Sequence, residues 1–406
     1  MSKAAADRYA GCWLLTDHDR RADDNAEHFY RYLKSIGQDD RAFFVIARDT
    51  RDWTRLSAEG FNLIEAGSRD HAAALVQCTH LLSSHADHYI FHPFGHHVTG
   101  DLEQSDFVFL GHGVVYNDMS RWFNKKPFKY MVTSARWETE AVGHEKSRYR
   151  LSRKQIVETG LPRHDGLIAR RDRAKPPDAI VVAPTWRLYL TTPEQNATSM
   201  NKVRRDDFME SDYAQSWRAF LLNDDLARIA KERGLKIVFA PHPNMQMYID
   251  QFDLPAEIEL FRVETGQSYQ DLFDRAAIMV TDYSSVSFEM AYLERPVVYY
   301  QFDYDEVYKT GAHVYGESDW DFETDGFGPV AQTAEAAAHA VGETLAGREA
   351  TVFAARRNEA FDYRDGKCCE RLYDFLAHGK RPERAGAEDR HDPKGARGRS
   401  RASVAR

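Results

Sequence analysis

Short apolar runs alternate with longer amphipathic stretches along most of the 406-residue chain. In the first half, these runs predict strands in GCWLLTD, AFFVIA, FNLIEAG, THLLSS, DFVFLGHG, FKYMVTSA and QIVETG. Residues 23–36 have a helical pattern that ends before Gly37. Buried strands of about five apolar residues between helices are typical of a parallel sheet covered on both faces.

The pattern is interrupted at residues 168–178, IARRDRAKPPD, where charge and a Pro-Pro pair indicate a linker. It then resumes with predicted strands in AIVVAPT, LKIVFAPHP, AIMVTD and PVVYYQF, and with helices from about Gln215 to Arg233 and from Val286 to Glu294. We therefore predict an α/β fold of two doubly wound, Rossmann-like domains with a cleft between them. Their predicted limits are residues 1–170 and 171–379, followed by a disordered basic tail at 380–406.

Composition narrows the class of protein. The net charge of −9 argues against a general polyanion binder, so we expect no nucleic-acid partner. Four cysteines without a CxxC pair indicate a reducing compartment. We see neither a signal peptide nor a membrane span in the sequence, so we expect a cytoplasmic protein or one peripheral to the inner face of the plasma membrane. The basic tail would either touch anionic lipid or remain solvated.

Polar residues suited to phosphate binding follow the predicted strands of the second half: Arg187, His242, Thr281, Ser284 and Ser285. In open parallel sheets, ligands bind beyond the carboxyl ends of the strands. A planar cation, an imidazole, hydroxyls and the N–H groups of a helix start together suit a diphosphate. One serine by itself would predict only a helix N-cap, but three neighbouring strand ends favour a diphosphate site.

A histidine between two glycines, Gly111-His112-Gly113, follows the predicted strand DFVFL. Flanking glycines let the backbone approach a ligand closely and leave the imidazole uncrowded. Because histidine titrates near neutral pH, His112 is a candidate general base. A purely structural histidine is the equal alternative at this point.

The segment HADHYIFHPFGHH invites a metal interpretation through His85, His88, His92, His96 and His97. Its spacing fits neither HExxH nor a Cys/His frame, so we predict no metal site and instead a loop that lines the cleft. The sequence has no GxxxxGK[ST], GxGxxG or GxSxG motif. This argues against a P-loop kinase, a dinucleotide oxidoreductase and an α/β-hydrolase.

Six stretches between about residues 13 and 308 resemble the CDP-glycerol glycerophosphotransferase family, of the teichoic-acid and capsule polymerase type. They are WLLTDHDRRADDNAEHFYRYL, FLGHGVVYNDMS, ETGLPRHDGL, VVAPTWR, APHPN and VTDYSSVSFEMAYLERPVVYYQFDYDEVY. Their order and spacing together are specific. The resemblance implies GT-B architecture, with two Rossmann-like domains and a cleft.

The resemblance also implies a reaction. An acceptor hydroxyl would attack the β-phosphorus of CDP-glycerol, CMP would leave, and a phosphodiester would form without a cofactor. His112 matches the family's base histidine, and His242 and Arg187 would support the departing CMP. The implied catalytic set is His112 and His242, and the implied donor-binding set is Arg187, Thr281, Asp282, Ser284, Ser285 and Asp303.

The implied partners are CDP-glycerol or another CDP-polyol such as CDP-ribitol, and a lipid-linked or glycan acceptor. A membrane surface is a further candidate partner. The chain departs from the family pattern at one place, where Lys309-Thr310-Gly311 stands for Arg-Gly. Lysine keeps the charge there but cannot make a bidentate contact.

Two alternatives share parts of this pattern. A GT-B glycosyltransferase that uses a nucleotide sugar would have the same architecture, but many such enzymes place a Glu-containing ribose motif where this chain has TDYSS. A non-catalytic nucleotide- or glycan-binding protein would not need His112, Arg187 and His242 together.

Overall fold

The computed structural model describes residues 3–95, 105–171, 175–191, 205–310 and 316–383. Its first sheet has seven parallel strands in the order β3-β2-β1-β4-β5-β6-β7. In chain order they are β1 Trp13–Thr16, β2 Ala42–Ile46, β3 Leu63–Glu65, β4 His80–Ser83, β5 Asp106–Phe109, β6 Tyr130–Thr133 and β7 Ile156–Glu158.

The second sheet has six parallel strands in the order β10-β9-β8-β11-β12-β13. They are β8 Ala179–Val182, β9 Lys236–Phe239, β10 Ile258–Leu260, β11 Ala276–Thr281, β12 Val297–Tyr300 and β13 Val330–Ala331.

Helices connect the strands of both sheets. The described α-helices are α1 Lys3–Tyr9, α2 Asn25–Ser35, α3 Arg51–Ala58, α4 Arg69–Gln77, α5 His88–Phe91, α6 Ser120–Phe123, α7 Arg136–Gly143, α8 Pro162–Arg171, α9 Asp212–Leu221, α10 Asp224–Arg233, α11 Tyr269–Arg275, α12 Val286–Tyr292, α13 Tyr304–Tyr308, α14 Ala334–Leu345, α15 Thr351–Glu359 and α16 Cys368–His378. Short 3₁₀ segments lie at Arg153–Gln155, Leu188–Leu190, Phe208–Glu210, Pro243–Phe252 and Val263–Thr265.

Each sheet is buried on both faces, as the unbroken apolar runs predict. In β1, Leu14 joins an apolar cluster on one face and Leu15 joins a second cluster on the other. In β8, Val181 and Val182 divide in the same way. Successive side chains of a strand point to opposite faces, so a strand with a core on each side must be apolar throughout. The predicted α/β class with two doubly wound parallel sheets is confirmed.

The structure differs from the sequence prediction in three places. Strands β10 and β13 were not predicted, because they are short edge strands of three and two residues. The single helix predicted from Gln215 to Arg233 is wrong: α9 and α10 are separate, because the Asn223 side chain accepts from the backbone N–H groups of Asp225 and Leu226 and starts a new helix. Helix α8 also continues to Arg171 and so includes the first four residues of the predicted linker.

The last described helix returns to the first sheet. Helix α16 packs on α2 and α8, and its residues Cys369 and Leu372 belong to the core beside β1. The Asp165 carboxylate of α8 accepts from the backbone N–H groups of Cys368 and Cys369, at 2.8 Å each. The predicted domain limits stay a prediction. All four cysteines are unpaired and buried, and no helix within the described ranges is long and apolar enough to cross a membrane.

Candidate active site

A buried carboxylate at the end of β1 organises one side of the site. Asp17 accepts from the backbone N–H groups of Asp24, Ala26 and Glu27, at 3.1, 2.8 and 3.2 Å. These groups belong to the first turn of α2, whose N–H groups need acceptors. Burial and the nearby Asp24 carboxylate raise the pKa of Asp17 well above its usual range, although Ser84 donates a hydrogen bond to it. The result is a fixed turn that presents Asp24.

His112 and Asp24 form a directly bonded pair. His112 Nδ1 lies 2.5 Å from Asp24 Oδ2, and 62% of the His112 side chain is exposed. Burial opposes ionisation of Asp24, but the charges of Arg163 and His112 outweigh it and hold its pKa well below the usual range. A carboxylate can only accept, so Nδ1 carries the proton and the lone pair of Nε2 is left to take one.

Two further residues hold the His112 loop in place. Asn25 donates from Nδ2 to the Gly111 carbonyl at 2.8 Å and accepts from the Arg163 backbone N–H at 3.1 Å. Arg163 donates from Nη1 to the His112 carbonyl at 2.9 Å and to Asp24 Oδ1 at 2.6 Å. Gly111 has φ +76°, a conformation that other residues adopt only with strain. The loop is therefore fixed through its backbone, while the imidazole stays open.

His112 faces a cavity between the two sheets. The cavity has a volume of about 210 Å³, and its lining includes His85, His112, Ser285, Trp122 and Phe123. Gly113 closes it on one side, where an added Cβ would come within 2.5 Å of Ser285 Oγ. Two of the predicted site residues, His112 and Ser285, therefore lie at one cavity although they are 173 positions apart in the chain.

A second contact joins the sheets beside this cavity. The Tyr116 hydroxyl donates to the Tyr283 carbonyl, and both residues are buried. Tyr283 belongs to the TDYSS segment, and Tyr116 follows the GHG segment. This bond ties the segment after His112 to the backbone that leads into Ser284 and Ser285.

The histidine-rich segment, residues 85–97, places one residue, His85, beside His112. The His85 ring lies 4.4 Å from that of His112, and its burial lowers the pKa of His85 well below its usual value. Within the described part of the chain, Asp24, His85 and His112 offer ligand atoms within 4.8 Å of one another, which would suit a divalent metal. A metal would have to compete with Arg163 for Asp24, so metal-free chemistry stays our prediction.

The other histidines of that segment lie elsewhere or are not described. His88 begins helix α5 and His92 follows it, and the centres of their tilted rings lie 4.7 Å apart. His96 and His97 lie outside the described residues.

The carboxyl edge of the second sheet holds a closed ion-pair network around Arg187. This side chain is 0% exposed. It donates from Nε and Nη2 to Asp303, at 2.8 and 3.0 Å, and from Nη2 to Asp282 at 2.7 Å. Nη1 donates to the carbonyls of Thr185 and Trp186, at 2.9 and 3.4 Å. These bonds use all five N–H donors of a guanidinium, so Arg187 positions two aspartates here, and direct contact with a donor diphosphate stays a prediction.

The remaining donor-side residues divide into buried and accessible ones. Thr281 is buried and donates to the Ala183 carbonyl at 2.7 Å. Asp282 Oδ1 accepts from the backbone N–H groups of Thr185 and Tyr283, at 2.8 and 2.7 Å. Ser284 and Ser285 are partly exposed, and Ser284 Oγ accepts from the Val286 N–H at 3.4 Å. The serines are thus the hydroxyls of this set that a ligand can reach.

His242 follows β9 and stands beside the strand end of β8. Its backbone N–H donates to the Pro184 carbonyl at 3.2 Å, and its Nδ1 accepts from the Asn244 N–H at 3.1 Å. Its ring lies 6.1 Å from the Trp186 ring. The accepted bond places the proton of the neutral ring on Nε2. Lys309, which departs from the family pattern, pairs with Asp305 at 2.6 Å.

Sequence reasoning did not assign roles to Asn25, Arg163 and Glu289. Arg163 lies in the quoted stretch ETGLPRHDGL and Glu289 in VTDYSSVSFEMAY, but both residues have ordinary surface-type side chains. The one sequence signal for Glu289 was a charged side chain within an otherwise apolar helix, α12. Its partner, 126 positions away, is set by how the two sheets meet.

Comparison with known proteins identifies the family and the fold. Residues 7–378 match the family model described as CDP-Glycerol:Poly(glycerophosphate) glycerophosphotransferase. The minor teichoic acid biosynthesis protein GgaB of Bacillus subtilis (strain 168) is 32% identical over 322 residues, which are 78% of this chain and 34% of that protein. The teichoic acid poly(glycerol phosphate) polymerase of Staphylococcus epidermidis is 27% identical over 47% of this chain and 24% of its own.

The chain thus spans about a third of the length of the first of these relatives and about a quarter of the second. Among solved structures, the wall teichoic acid polymerase TagF superposes with a TM-score of 0.66 at 16% identity, over 92% of this chain and 90% of the other. This likeness confirms the two-domain, GT-B-like fold expected from the sequence.

Proposed function

We propose a glycerophosphotransferase activity for this chain, from the premise that it belongs to the CDP-glycerol:poly(glycerophosphate) glycerophosphotransferase family. The chain would move glycerol phosphate from CDP-glycerol to a hydroxyl of a polyol-phosphate or glycan acceptor and release CMP. The observation that carries the proposal is the pair of His112 and Asp24 at a cavity that Ser285 also lines.

The geometry supports a base-assisted attack. The acceptor hydroxyl gives its proton to Nε2 of His112 as its oxygen bonds to the β-phosphorus of the donor. The bond from that phosphorus to the bridging oxygen breaks, and CMP leaves with the electron pair. Asp24 stabilises the imidazolium through Nδ1 and keeps the ring oriented, as the carboxylate does in Ser-His-Asp enzymes. Transfer of this kind depends mainly on positioning and charge stabilisation.

We place the donor at the carboxyl edge of the second sheet. Ser284 and Ser285 are partly exposed there, and His242 is partly exposed beside the end of β8. Hydroxyl and imidazole N–H donors suit the oxygens of a diphosphate. Arg187, Asp282, Asp303 and Thr281 would act behind this layer, because the first two and Thr281 are buried and the Asp303 side chain is bonded to Arg187.

For the acceptor we propose a chemical class and no single compound. The relatives, a minor teichoic acid biosynthesis protein and a teichoic acid poly(glycerol phosphate) polymerase, support an acceptor in teichoic-acid-like polymer synthesis. A lipid-linked or glycan acceptor, or one in capsular polymer synthesis, is what the family resemblance implies. Attachment to a membrane surface would fit a lipid-linked acceptor. The basic residues between 380 and 406 are the sequence feature that supports it.

The test is a donor panel. We expect CMP release from CDP-glycerol with a soluble polyol-phosphate acceptor, weaker release from CDP-ribitol, and no nucleotide release from UDP-sugars. The His112→Ala variant, measured in parallel, controls for spontaneous hydrolysis. Faster turnover of a UDP-sugar than of any CDP-polyol would favour the glycosyltransferase alternative instead.

Metal removal forms a second arm of the same assay. EDTA should leave the rate unchanged, because we expect hydrogen-bond donors of the protein, and not a metal, to stabilise the charge on the leaving phosphate. A loss of turnover that Mg²⁺ or Mn²⁺ restores would contradict this prediction, and Asp24, His85 and His112 would become the first ligands to test.

A further inference from the structure

We propose that Arg163 and Glu289 are positioning residues that make proton uptake by His112 depend on the donor-side helix α12. This inference rests on the proposed function, since it names what controls the base of that reaction. It rests on a continuous chain of buried contacts that begins at His112 and ends on the helix that follows Ser284-Ser285.

The chain of contacts has Arg163 at its centre. Nη1 of Arg163 donates to Asp24 Oδ1 at 2.6 Å, and Asp24 Oδ2 holds His112. On its other side, Arg163 donates from Nε to Glu289 Oε1 at 3.2 Å and also from Nη2 to the same oxygen. One guanidinium therefore bridges the partner of the base and a carboxylate of the second sheet's layer.

The position of Glu289 is itself fixed. Its Oε2 lies 3.1 Å from His164 Nε2, and His164 Nδ1 lies 3.2 Å from the hydroxyl of Ser134. The Glu289 side chain is 1% exposed, and its residue lies in the first turn of α12, four positions after Ser285. A movement of α12 would therefore pull on Arg163 and so on Asp24.

The charges of Asp24, Arg163 and Glu289 also affect how readily His112 takes a proton. Asp24, Arg163 and Glu289 carry −1, +1 and −1, a sum of −1 in a buried cluster. When His112 takes the acceptor proton, the sum becomes zero. Without Glu289, the Arg163 charge would be balanced by Asp24 alone, and the new imidazolium would leave the cluster at +1. Glu289 offsets the charge of Arg163, which leaves the charge of Asp24 to stabilise the imidazolium, so Glu289 favours proton uptake.

A static salt bridge is the alternative explanation, and matched variants separate the two. Glu289→Gln keeps the size of the side chain and removes the charge. Arg163→Lys keeps the charge but cannot bridge two carboxylates in a fixed fork. Arg170→Gln is the control, because it removes an ion pair with Asp271 that also joins α8 to the second sheet's layer but has no contact with Asp24.

We expect Glu289→Gln to lower kcat by about 10²-fold, the cost of a small misplacement of reacting groups. The KM for CDP-glycerol and its calorimetric affinity should stay within about threefold, because Glu289 does not face the cavity. Arg163→Lys should retain more activity than Arg163→Gln, and Arg170→Gln should match the parent chain. A fall in kcat and donor affinity together, with a matching fall in melting temperature, would instead show a structural role and overturn the proposal.

A spectroscopic readout keeps the inference separate from the proposed activity. In ¹H NMR of ¹⁵N-histidine-labelled protein, the Nδ1–H proton shared with Asp24 should appear far downfield and disappear in His112→Ala. In Glu289→Gln this resonance should shift upfield or broaden, whereas Arg170→Gln should leave it in place. An unchanged resonance in Glu289→Gln would overturn the inference whether or not the chain turns over CDP-glycerol. Absence of turnover in the parent chain would count only against the proposed function.

Discussion

The carboxyl edges of the two sheets each hold a nitrogen-bearing side chain that is hydrogen-bonded to a carboxylate, but they expose that side chain to opposite extents. At the first sheet, 62% of His112 is open while its partner Asp24 is buried. At the second, Arg187 is 0% exposed, and its five donors are all used inside the protein. The first edge therefore offers a reactive nitrogen to a ligand, whereas the second offers a rigid frame.

This difference is the reason that we propose a chemical role for His112 and a structural role for Arg187. Both residues follow a predicted strand, and both were assigned to the site from that position. A buried ion pair whose members satisfy each other has no capacity left for a ligand, and its loss mainly costs stability. An orienting carboxylate beneath an exposed imidazole, by contrast, contributes mainly in the transition state.

The largest expected effect is at His112. His112→Ala should reduce CMP release by about 10²–10⁴-fold, the usual contribution of a positioned general base. Calorimetric affinity for CDP-glycerol should be retained, because the imidazole acts on the acceptor hydroxyl. His144→Ala, at an exposed position away from the cavity, is the control.

Asp24→Asn sharpens the same test. An amide cannot stabilise the imidazolium, so the rate should fall although the shape of the side chain is kept.

If His112→Ala keeps near-normal turnover with a natural acceptor, the imidazole is structural. Asp23 and Asp118 would then be the next bases to test.

The next effect concerns the frame of the second edge. Arg187→Ala should lower the free energy of unfolding by about 3–5 kcal/mol, since it leaves Asp282 and Asp303 buried without their cation. Urea unfolding would measure this, with Arg228→Gln, an exposed pair on α10, as the control. A variant of normal stability that no longer binds CDP-glycerol would break the contrast, because Arg187 would then contact the donor directly.

The apolar pattern of the sequence predicted the long, buried strands well but not the short edge strands or one helix boundary. All strands of the first sheet and the four central ones of the second follow from apolar runs, since burial on both faces leaves a clear pattern. The edge strands β10 and β13 are too short to leave one. The α9–α10 boundary depended on one local side-chain bond at Asn223.

The site shows a similar limit. The strand-end rule selected His112 and Ser285, and both residues line one cavity. It could not tell that Arg187 would be enclosed, because that depends on Asp282 and Asp303 arriving from two other strand ends. Nor could it show that Arg163 lies between Asp24 and Glu289, 139 and 126 positions away. Long-range charge pairing is decided by the packing of the sheets.

A smaller effect should appear in the pH dependence of stability at the first edge. Glu27 accepts from Arg31 and Arg55 and from the Asp23 backbone N–H, beside the turn that carries Asp24. Burial opposes its ionisation, but Arg55 and Arg31 outweigh it and lower the pKa of Glu27 to about 2. A depressed pKa contributes stability that is full above the unfolded value of about 4.3 and is lost as pH falls towards 2.

Glu27→Gln should therefore cost roughly 3 kcal/mol at pH 7, from about 1.4 kcal/mol per unit of pKa shift. The difference from the parent chain should shrink between about pH 4.5 and pH 2. Glu343→Gln, in an exposed pair with Arg348, should show no such trend. A constant difference across that range would mean that Glu27 acts through packing and that its charge is not what supports the turn.

The smallest expected effect lies beyond both edges, in the predicted tail. Arg381 donates to the Ile156 carbonyl at 3.0 Å, and the Glu383 carbonyl accepts from the Tyr363 hydroxyl, so a clean truncation should begin at residue 384. Residues 384–406 lie outside the described residues; they contain seven Lys or Arg, three Asp or Glu, and no apolar side chain larger than valine. From this composition we predict that the segment contributes little buried apolar surface. Its removal should change the free energy of unfolding by less than about 0.5 kcal/mol and leave turnover with a soluble acceptor intact. Sedimentation with anionic vesicles should weaken, by at most about 1 kcal/mol per basic residue near the surface. A large fall in melting temperature on truncation would show that the segment packs on the folded chain and stabilises it.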